Sequence, residues 1–596
     1  MGKIVALIDS GIDNNIQNNI QAKIKPISVG IFDNEEDEIG HGTAIASILL
    51  NKSEIDSIYS FKIFAKDKDT KFEYLCITLK YILTNLKVDI IHLSMGLIYI
   101  EEKEKLVLKE ICSKLVIQGT IIVAAFDNMG AISYPAAFED VIGVYWSKEV
   151  LSVREFIYLE NSIVNVLGYS GLQRLPWKDG IYKNVAGSSF IAPHITNLII
   201  DFLSKGISGL EDIHKMLKIS AKEIRTNQKY DLKQFIGLHS NIKKALLFPI
   251  NKEIKTLVEN IDIASFKLYG LSDIPYSKYI GKKIKDIFLD IDYTNEKILS
   301  INSINWNEDF DTVILGHVKQ ISNLLQRNFT LEILEKCKSY KKNIYSFDEL
   351  SHYNELVQEI IDQGNSVEYI YLKTNRKDNY IGALYKLPIP VVAVVGTGPK
   401  QGKFTLQLSL IKELRKLKYN VGFFGTEPSS ALLGADICFP IGYNSGIHLE
   451  DLEYTQIANK LIANIKNKDI ILVGLQSQIL QYGFGNLGFY PFIQERVLIA
   501  TEPDCVILCI NLWDETDYIN RCIQYLESYY SSKVLCIVIY PFKKNNEWTL
   551  TNGIDISAKT KEIEVYRKKI IDNFKLPVYI NRLESKFIVK EIIDFF

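Results

Sequence analysis

The strongest constraint on this chain is the placement of three short polar blocks at the ends of apolar runs. They are "ALIDSGID" around Asp9, "GHGTAIAS" around His41 and "GSSFIAPH" around Ser189. An acid, an imidazole and a hydroxyl so far apart can act together only if the fold brings a strand end and two helix starts to one sheet edge. Their order, Asp before His before Ser, is one that recurs on an α/β sheet. A serine hydroxyl is a poor nucleophile until a base takes its proton, and the imidazole needs a carboxylate to fix its tautomer. Asp9, His41 and Ser189 supply those roles. Asp9 closes an apolar strand, and its "DSG" turn exposes the carboxylate at the sheet edge. Gly40 and Gly42 permit close backbone approach around His41, and Ser189 opens a helix whose N-terminus faces a forming oxyanion.

Over residues 1 to about 248 the blocks resemble those of the subtilisin-like serine peptidases, the subtilase family. "HLSMG" from His92 to Gly96 is similar to the family's substrate strand, which implies Ser94, Met95 and Gly96 as substrate-binding residues. "SYPAAF" from Ser133 to Phe138 is similar to its "YPAA" block. His92 and His194 read as structural. Where the family has "AAGN", whose Asn amide donates to the oxyanion, this chain has "AAFDN". Ungapped alignment puts Asp127 in that role and Asn128 one residue late. An ionised Asp127 would repel the oxyanion, and loss of one such donor costs about 10²- to 10³-fold in turnover; a protonated Asp127 would donate. A few convertase-type subtilases carry Asp there. Phe126 replaces the family's Gly in the substrate pocket, so the ring either fills that pocket and selects a small residue such as Gly or Ala, or turns into the core.

Composition narrows the class. With 69 basic and 71 acidic residues the net charge of -2 offers no electrostatic footprint for nucleic acid or an anionic membrane. Eight cysteines are scattered, and Cys505 and Cys509 share an apolar run that reads as a strand, so neither disulfide framework nor zinc site is expected. No apolar stretch approaches the roughly 18 residues of a membrane span, and "MGKIVALID" runs directly into the Asp9 block without a signal-like segment. The expectation is a cytoplasmic protein that folds without a pro-segment.

At 596 residues the chain needs several cores. The reading is α/β throughout: a peptidase domain over 1–248, a Rossmann-like domain over 249–385 and a P-loop-like domain over 386–596. The middle stretch has a strand in "FDTVILGHV", a helix in "TLEILEKCKSYKK" and a strand in "NIYSFD". The last has five strong apolar strands separated by helical stretches. Its first strand runs into "GTGPKQGKFT", which places Gly396, Thr397, Gly398, Gly402, Lys403 and Thr405 where backbone N–H groups and a lysine cradle phosphates. The spacing is longer than the usual pattern and is similar to that of dethiobiotin synthetase-like proteins. The acid expected to hold magnesium is missing from "DIILVGLQSQ", with Glu427 as a substitute and Asp469 a poorer one.

From about residue 300 to 596 the order of these segments resembles the DUF1611 family, some of whose members are thought to act on small amino-acid substrates with an acyl cofactor. The chain is also similar to clostridial peptide-maturation proteins, and the Ile-, Lys- and Asn-rich composition fits such a source. The resemblance implies a peptidase without cofactor that cleaves a ribosomally made precursor peptide beside other maturation enzymes, and a C-terminal module holding a nucleotide with magnesium. Two rivals stand: phosphoryl or acyl transfer by the C-terminal half, and a peptide-binding protein that retains a barely active protease fold.

Overall fold

The computed structural model describes residues 2–13, 23–51, 54–66, 70–98, 100–226, 232–236, 242–288, 296–373, 384–442, 445–449, 451–481, 483, 485, 490–543 and 556–596. The chain forms two compact units, 1–229 with 376–388, and 230–375 with 389–596.

Unit 1 is built on a nine-stranded sheet. Its strands are β1 (Lys3–Asp9), β2 (Ile24–Pro26), β3 (Ile55–Lys62), β4 (Ile90–Leu93), β5 (Ile121–Ala125), β6 (Ile142–Ser147), β7 (Ile157–Glu160), β8 (Val166–Tyr169) and β11 (Glu223–Thr226). A separate hairpin, β9 (Gln173–Pro176) with β10 (Tyr182–Val185), precedes the serine helix. The sheet order is β11-β7-β8-β6-β5-β4-β1-β3-β2, parallel except where β7 meets β8. Val5 to Ile8 are fully buried, as expected of a parallel strand covered on both faces. Their side chains alternate between two apolar layers. One layer holds α1 (His41–Leu49) and α4 (Ser188–Ser204); the other holds α2 (Phe72–Asn85) and α3 (Glu102–Ile117). The carboxyl ends of β1, β4 and β5 therefore meet the amino ends of α1 and α4 at one edge, the place where ligands bind in open α/β sheets.

Unit 2 carries two parallel sheets over a shared apolar core. The first is β14-β13-β12-β15-β16-β17, from β12 (Lys244–Phe248), β13 (Lys267–Asp273), β14 (Leu299–Ser300), β15 (Thr312–Leu315), β16 (Asn343–Ser346) and β17 (Val367–Tyr369). A short pair, β18 (Leu372–Lys373) with β22 (Ile447–His448), lies apart from both sheets. The second is β21-β20-β23-β19-β24-β25-β28, from β19 (Val391–Gly396), β20 (Val421–Gly425), β21 (Ile437–Cys438), β23 (Ile470–Gly474), β24 (Cys505–Asn511), β25 (Lys533–Tyr540) and β28 (Val578–Ile580); β26 (Phe542–Lys543) pairs with β27 (Ile556–Ser557). All five apolar runs read as strands in the last stretch are strands. The divisions differ from the reading at 248 and 385. Strand β12 pairs with β13 and β15 of unit 2 rather than joining the sheet of unit 1, and the two later stretches fuse into one unit because their helices share a core. All eight cysteines are buried and free, and among the described residues no helix is long and apolar enough to cross a membrane.

Candidate active site

Asp9 ends β1 with its side chain only 1% exposed. Its Oδ1 accepts from Ser10 N and from His41 Nδ1, both at 2.8 Å, while Oδ2 is buried with no hydrogen-bond partner among the described residues. An unsatisfied buried acceptor costs roughly 1–3 kcal/mol. Burial depresses the His41 pKa, but the Asp9 charge and hydrogen bond, with Asp37 behind them, outweigh it, and the net shift is upward from 6.5. His41 is the first residue of α1, and the turn before it is fixed by Asp37. The Asp37 carboxylate accepts from Ser10 Oγ, Ile39 N, Gly40 N, Thr43 N and Thr43 Oγ1 at 2.7–3.0 Å. Gly42 is required, because a Cβ there would lie 2.1 Å from Gly11 O.

Ser189 is the second residue of α4. Its Oγ donates to Ser94 O at 2.8 Å instead of to His41, and Ser94 Oγ donates back to Ser189 O at 3.0 Å. Hydrogen bonds to a nucleophile are commonly loose until substrate arrives. Three aromatic rings surround the His41 imidazole: Phe190 at 5.1 Å, Phe64 at 6.2 Å and Trp177 at 6.5 Å between centroids. Trp177 comes from the turn of the β9–β10 hairpin, which Asp13 Oδ2 holds through Asp179 N at 2.6 Å.

The residues after β5 require a correction. Asp127, read as the oxyanion donor, has Oδ2 engaged by Met129 N at 2.8 Å and Ala131 N at 3.4 Å, so its carboxylate closes the turn after the strand. Asn128 instead reaches the residue before the nucleophile: its Oδ1 accepts from Ser188 N at 2.8 Å. The amide packs so closely on Gly187 (φ +126°) that a Cβ there would meet Oδ1 at 2.6 Å. The loop is one residue longer than the ungapped alignment allows, and the turn closed by Asp127 absorbs the extra residue. Phe126 resolves in favour of the core: it is 2% exposed, in the layer of Ile132, Tyr134, Ala136 and Phe138. Ser94 is buried at the end of β4, and Met95 and Gly96 follow, partly exposed, before Leu97 pairs with Tyr134. His92 is buried and His194 half-buried, with pKa values pushed down by desolvation to about 3 and about 4.

In unit 2, β19 ends at Gly396, the loop runs to Gly402 and a helix follows over Lys403–Lys416. Lys403 is buried; its Nζ donates to Gly398 O at 2.7 Å, and desolvation lowers its pKa to about 8. The buried Gln401 amide spans the loop, accepting from Gly398 N at 3.1 Å and donating to Thr397 Oγ1 at 2.6 Å. Asn581 Nδ2 holds the carbonyls of Gln401 and Gly402. Thr405 lies within the helix, partly exposed. Glu427 is paired with Lys252 at 3.3 Å. Asp469 stands at the amino end of β23, bonded to Asn420 N at 2.7 Å, at the edge opposite the loop. A carboxylate bonded to the loop is Asp514, unforeseen from sequence, which accepts from Thr397 Oγ1 and from Asn511 N. Among the described residues no group of three or more His, Cys, Asp or Glu is arranged to hold a metal.

Residues 378–516 match the family described as "Domain of unknown function (DUF1611_C) P-loop domain". That stretch contains the Lys403 loop and both strands beside β19. No curated protein matches the chain. Among solved structures the chain is similar to a cold adapted subtilisin-like serine proteinase, with 16% identity, TM-score 0.31, 37% of this chain and 82% of that one covered. It is also similar to the nisin leader peptidase NisP from Lactococcus lactis, with 17% identity, TM-score 0.30, 37% and 85% covered. A third is the prenylagaramide maturation protease PagA, with 17% identity, TM-score 0.29, 36% and 80% covered.

Proposed function

We propose that unit 1 is a serine endopeptidase. The observation that carries this reading is the convergence at one sheet edge of a carboxylate-held imidazole, His41 on Asp9, with a serine at a helix start and an amide aimed beside it, Asn128 against Gly187 and Ser188. Ser189 Oγ leaves Ser94 O, gives its proton to His41 Nε2 and attacks the peptide carbonyl carbon. The oxyanion takes N–H donation from Asn128 Nδ2 and Ser189 N. The imidazolium, steadied by Asp9, gives its proton to the departing amine as the C–N bond breaks, and water then releases the acyl group by the same base. The substrate in this reading is a ribosomally made precursor peptide cleaved in the cytoplasm during maturation, most directly by leader removal. The resemblance of the motifs supports the substrate, and eight reduced, buried cysteines support the compartment.

The test is labelling with a fluorophosphonate, read by intact mass. One adduct on the wild type and none on Ser189→Ala is the expected result; an unlabelled wild type overturns the reading. A second reading concerns the match at 378–516: the Lys403 loop holds a phosphorylated ligand through Lys403 and its backbone N–H groups. Magnesium does not fit the same way, because Glu427 is paired with Lys252 and Asp514 with the loop's own donors. Binding is therefore proposed, and nucleotide turnover is not. A nucleotide-dependent rise in melting temperature that Lys403→Ala removes supports it, and no rise with any nucleotide overturns it.

A further inference from the structure

His92 and Ser94 are alternate residues at the end of β4, so both side chains face the helix α4 that carries Ser189. His92 is fully buried. Its Nδ1 lies 2.8 Å from Thr196 Oγ1, and its Nε2 lies 2.7 Å from Ser94 Oγ. Counting protons fixes the direction of every bond. The carbonyl of Ser189 can only accept, so the single proton of Ser94 Oγ goes to it. Ser94 Oγ must then accept from His92, which puts the ring proton on Nε2. Burial keeps the ring neutral, so Nδ1 is bare and accepts the proton of Thr196, itself fully buried. The result is a one-way chain: Thr196 O–H to His92 Nδ1, His92 Nε2–H to Ser94 Oγ, Ser94 O–H to Ser189 O. With the other tautomer, Ser94 would turn its proton to His92, and the carbonyl of Ser189 would lose its side-chain donor.

We propose that His92, a residue without a role in the proton transfers themselves, is a positioning residue that sets the Ser94 hydroxyl and through it the placement of Ser189 against the substrate strand Ser94–Gly96. This rests on the peptidase reading of unit 1. Ser94 clamps Ser189 twice, by its hydroxyl on the carbonyl and by its own carbonyl on Oγ. The side chain that fixes the first clamp also ties the nucleophile to the middle of α4 through Thr196. Misplacement of reacting groups by about 1 Å costs on the order of 10²-fold, which sets the size of effect to expect.

The experiment measures fluorophosphonate labelling of Ser189, separated into the maximal inactivation rate and the half-saturating concentration. It compares the wild type, His92→Gln, His92→Leu and Thr196→Val at matched melting temperature. Gln keeps an N–H near the Nε2 position, and Leu keeps the volume without a donor. The expected result is a fall of about 10²-fold in the maximal rate for His92→Leu at unchanged half-saturation, with His92→Gln within a few-fold of the wild type. Thr196→Val, which no longer forces Nδ1 to accept, falls between them. Equal rates for Leu and wild type, or equal losses for Leu and Gln, overturn the proposal. Where His92→Leu does not fold, the ¹⁵N spectrum of the wild-type imidazoles decides: Nε2 protonated and Nδ1 bare supports the chain of bonds, and the reverse tautomer refutes it. That spectrum needs no activity, so an unlabelled wild type would sink the peptidase reading without deciding the tautomer.

Discussion

His41 in unit 1 and His317 in unit 2 are each held through Nδ1 by an aspartate, Asp9 at 2.8 Å and Asp348 at 2.7 Å. Both pKa values move the same way: burial lowers them, the carboxylate outweighs it, and each ends above 6.5. Fully buried His92 and half-buried His194, desolvated but without a bonded carboxylate, fall to about 3 and about 4. A carboxylate on Nδ1 therefore decides whether a buried imidazole here can serve as a base near neutral pH. It does not decide whether there is anything to activate. At the same sheet edge as His41 stand Ser189 at a helix start and, against Ser188 N, the amide of Asn128. Beside His317 stand the ring of Phe347, 5.9 Å away, and the charges of Glu253 and Glu427, and Asp348 spends its second oxygen on Val318 N. Asp348 also borders a cavity of about 470 Å³ with Lys319, Asn323 and Arg327, yet among the described residues no hydroxyl or thiol is hydrogen-bonded to His317.

The sharpest way to break this comparison is to disarm both pairs. Asp9→Asn should cut Ser189 labelling by about 10⁴-fold through the wrong tautomer of His41. Asp348→Asn should leave labelling unchanged and lower only the melting temperature. A comparable loss in both would mean that the two pairs do not differ as described. Next in size is the oxyanion side. Asn128→Ala should cost about 10²- to 10³-fold in turnover. Asp127→Ala should cost stability of about 1 kcal/mol through its lost turn bonds, with labelling within a few-fold. The reverse ranking would restore Asp127 to the role that the ungapped alignment assigned it.

The pH dependence carries a smaller effect of opposite sign in the two places. His41 acts as a base, so labelling should rise with pH through a midpoint above 6.5, and Asp9→Asn should lower that midpoint. His317 has a folded pKa above its unfolded one, so the stability it contributes is complete below 6.5 and is lost as pH rises through the folded value. His317→Gln should therefore lower the unfolding free energy more below pH ~6 than above pH ~8. Equal losses at both would remove the Asp348 pair from the account.

The sequence made the Asp9–His41–Ser189 edge legible because its parts obey local rules. Asp9 ends a run of fully buried strand, His41 and Ser189 open helices, and the glycines around them sit where backbones touch. Such features survive without knowledge of the partner. What a single chain hides is the reach of side chains across the fold. Asn128 and Asp127 differ by one position, and only the turn bonds of Met129 and Ala131 reveal which of them faces Ser188. Asp37 was one acid in the run "NEEDEIGHG" until its five donors were placed around it. Phe126 was undecidable between pocket and core, because pleat alone does not say how a ring turns at a strand end. The boundary at 248 failed for a related reason: β12 is an apolar strand like those before it, and only its pairing assigns it to unit 2.

The smallest effect expected lies at Lys403, and its sign separates the two units most finely. A lysine pulled down to about 8 by desolvation binds its proton less tightly folded than unfolded. Stability should therefore rise as pH climbs from about 8 towards the unfolded value of 10.5. The neutral-pH protein holds a buried ammonium whose one hydrogen-bond partner among the described residues is Gly398 O, and burying a charge against a single carbonyl is unfavourable. Lys403→Met, similar in size and without charge, should leave the ligand-free protein as stable or slightly more stable near pH 7. An anion at the loop should raise the lysine's pKa and be taken up with protons, so phosphate should protect the wild type more at pH ~7 than at pH ~9 and protect Lys403→Met at neither. Ser189 labelling should be the same in both proteins. If Lys403→Met instead destabilises the ligand-free protein by several kcal/mol, the ammonium is holding the loop together, and an anion seat is the wrong description of it.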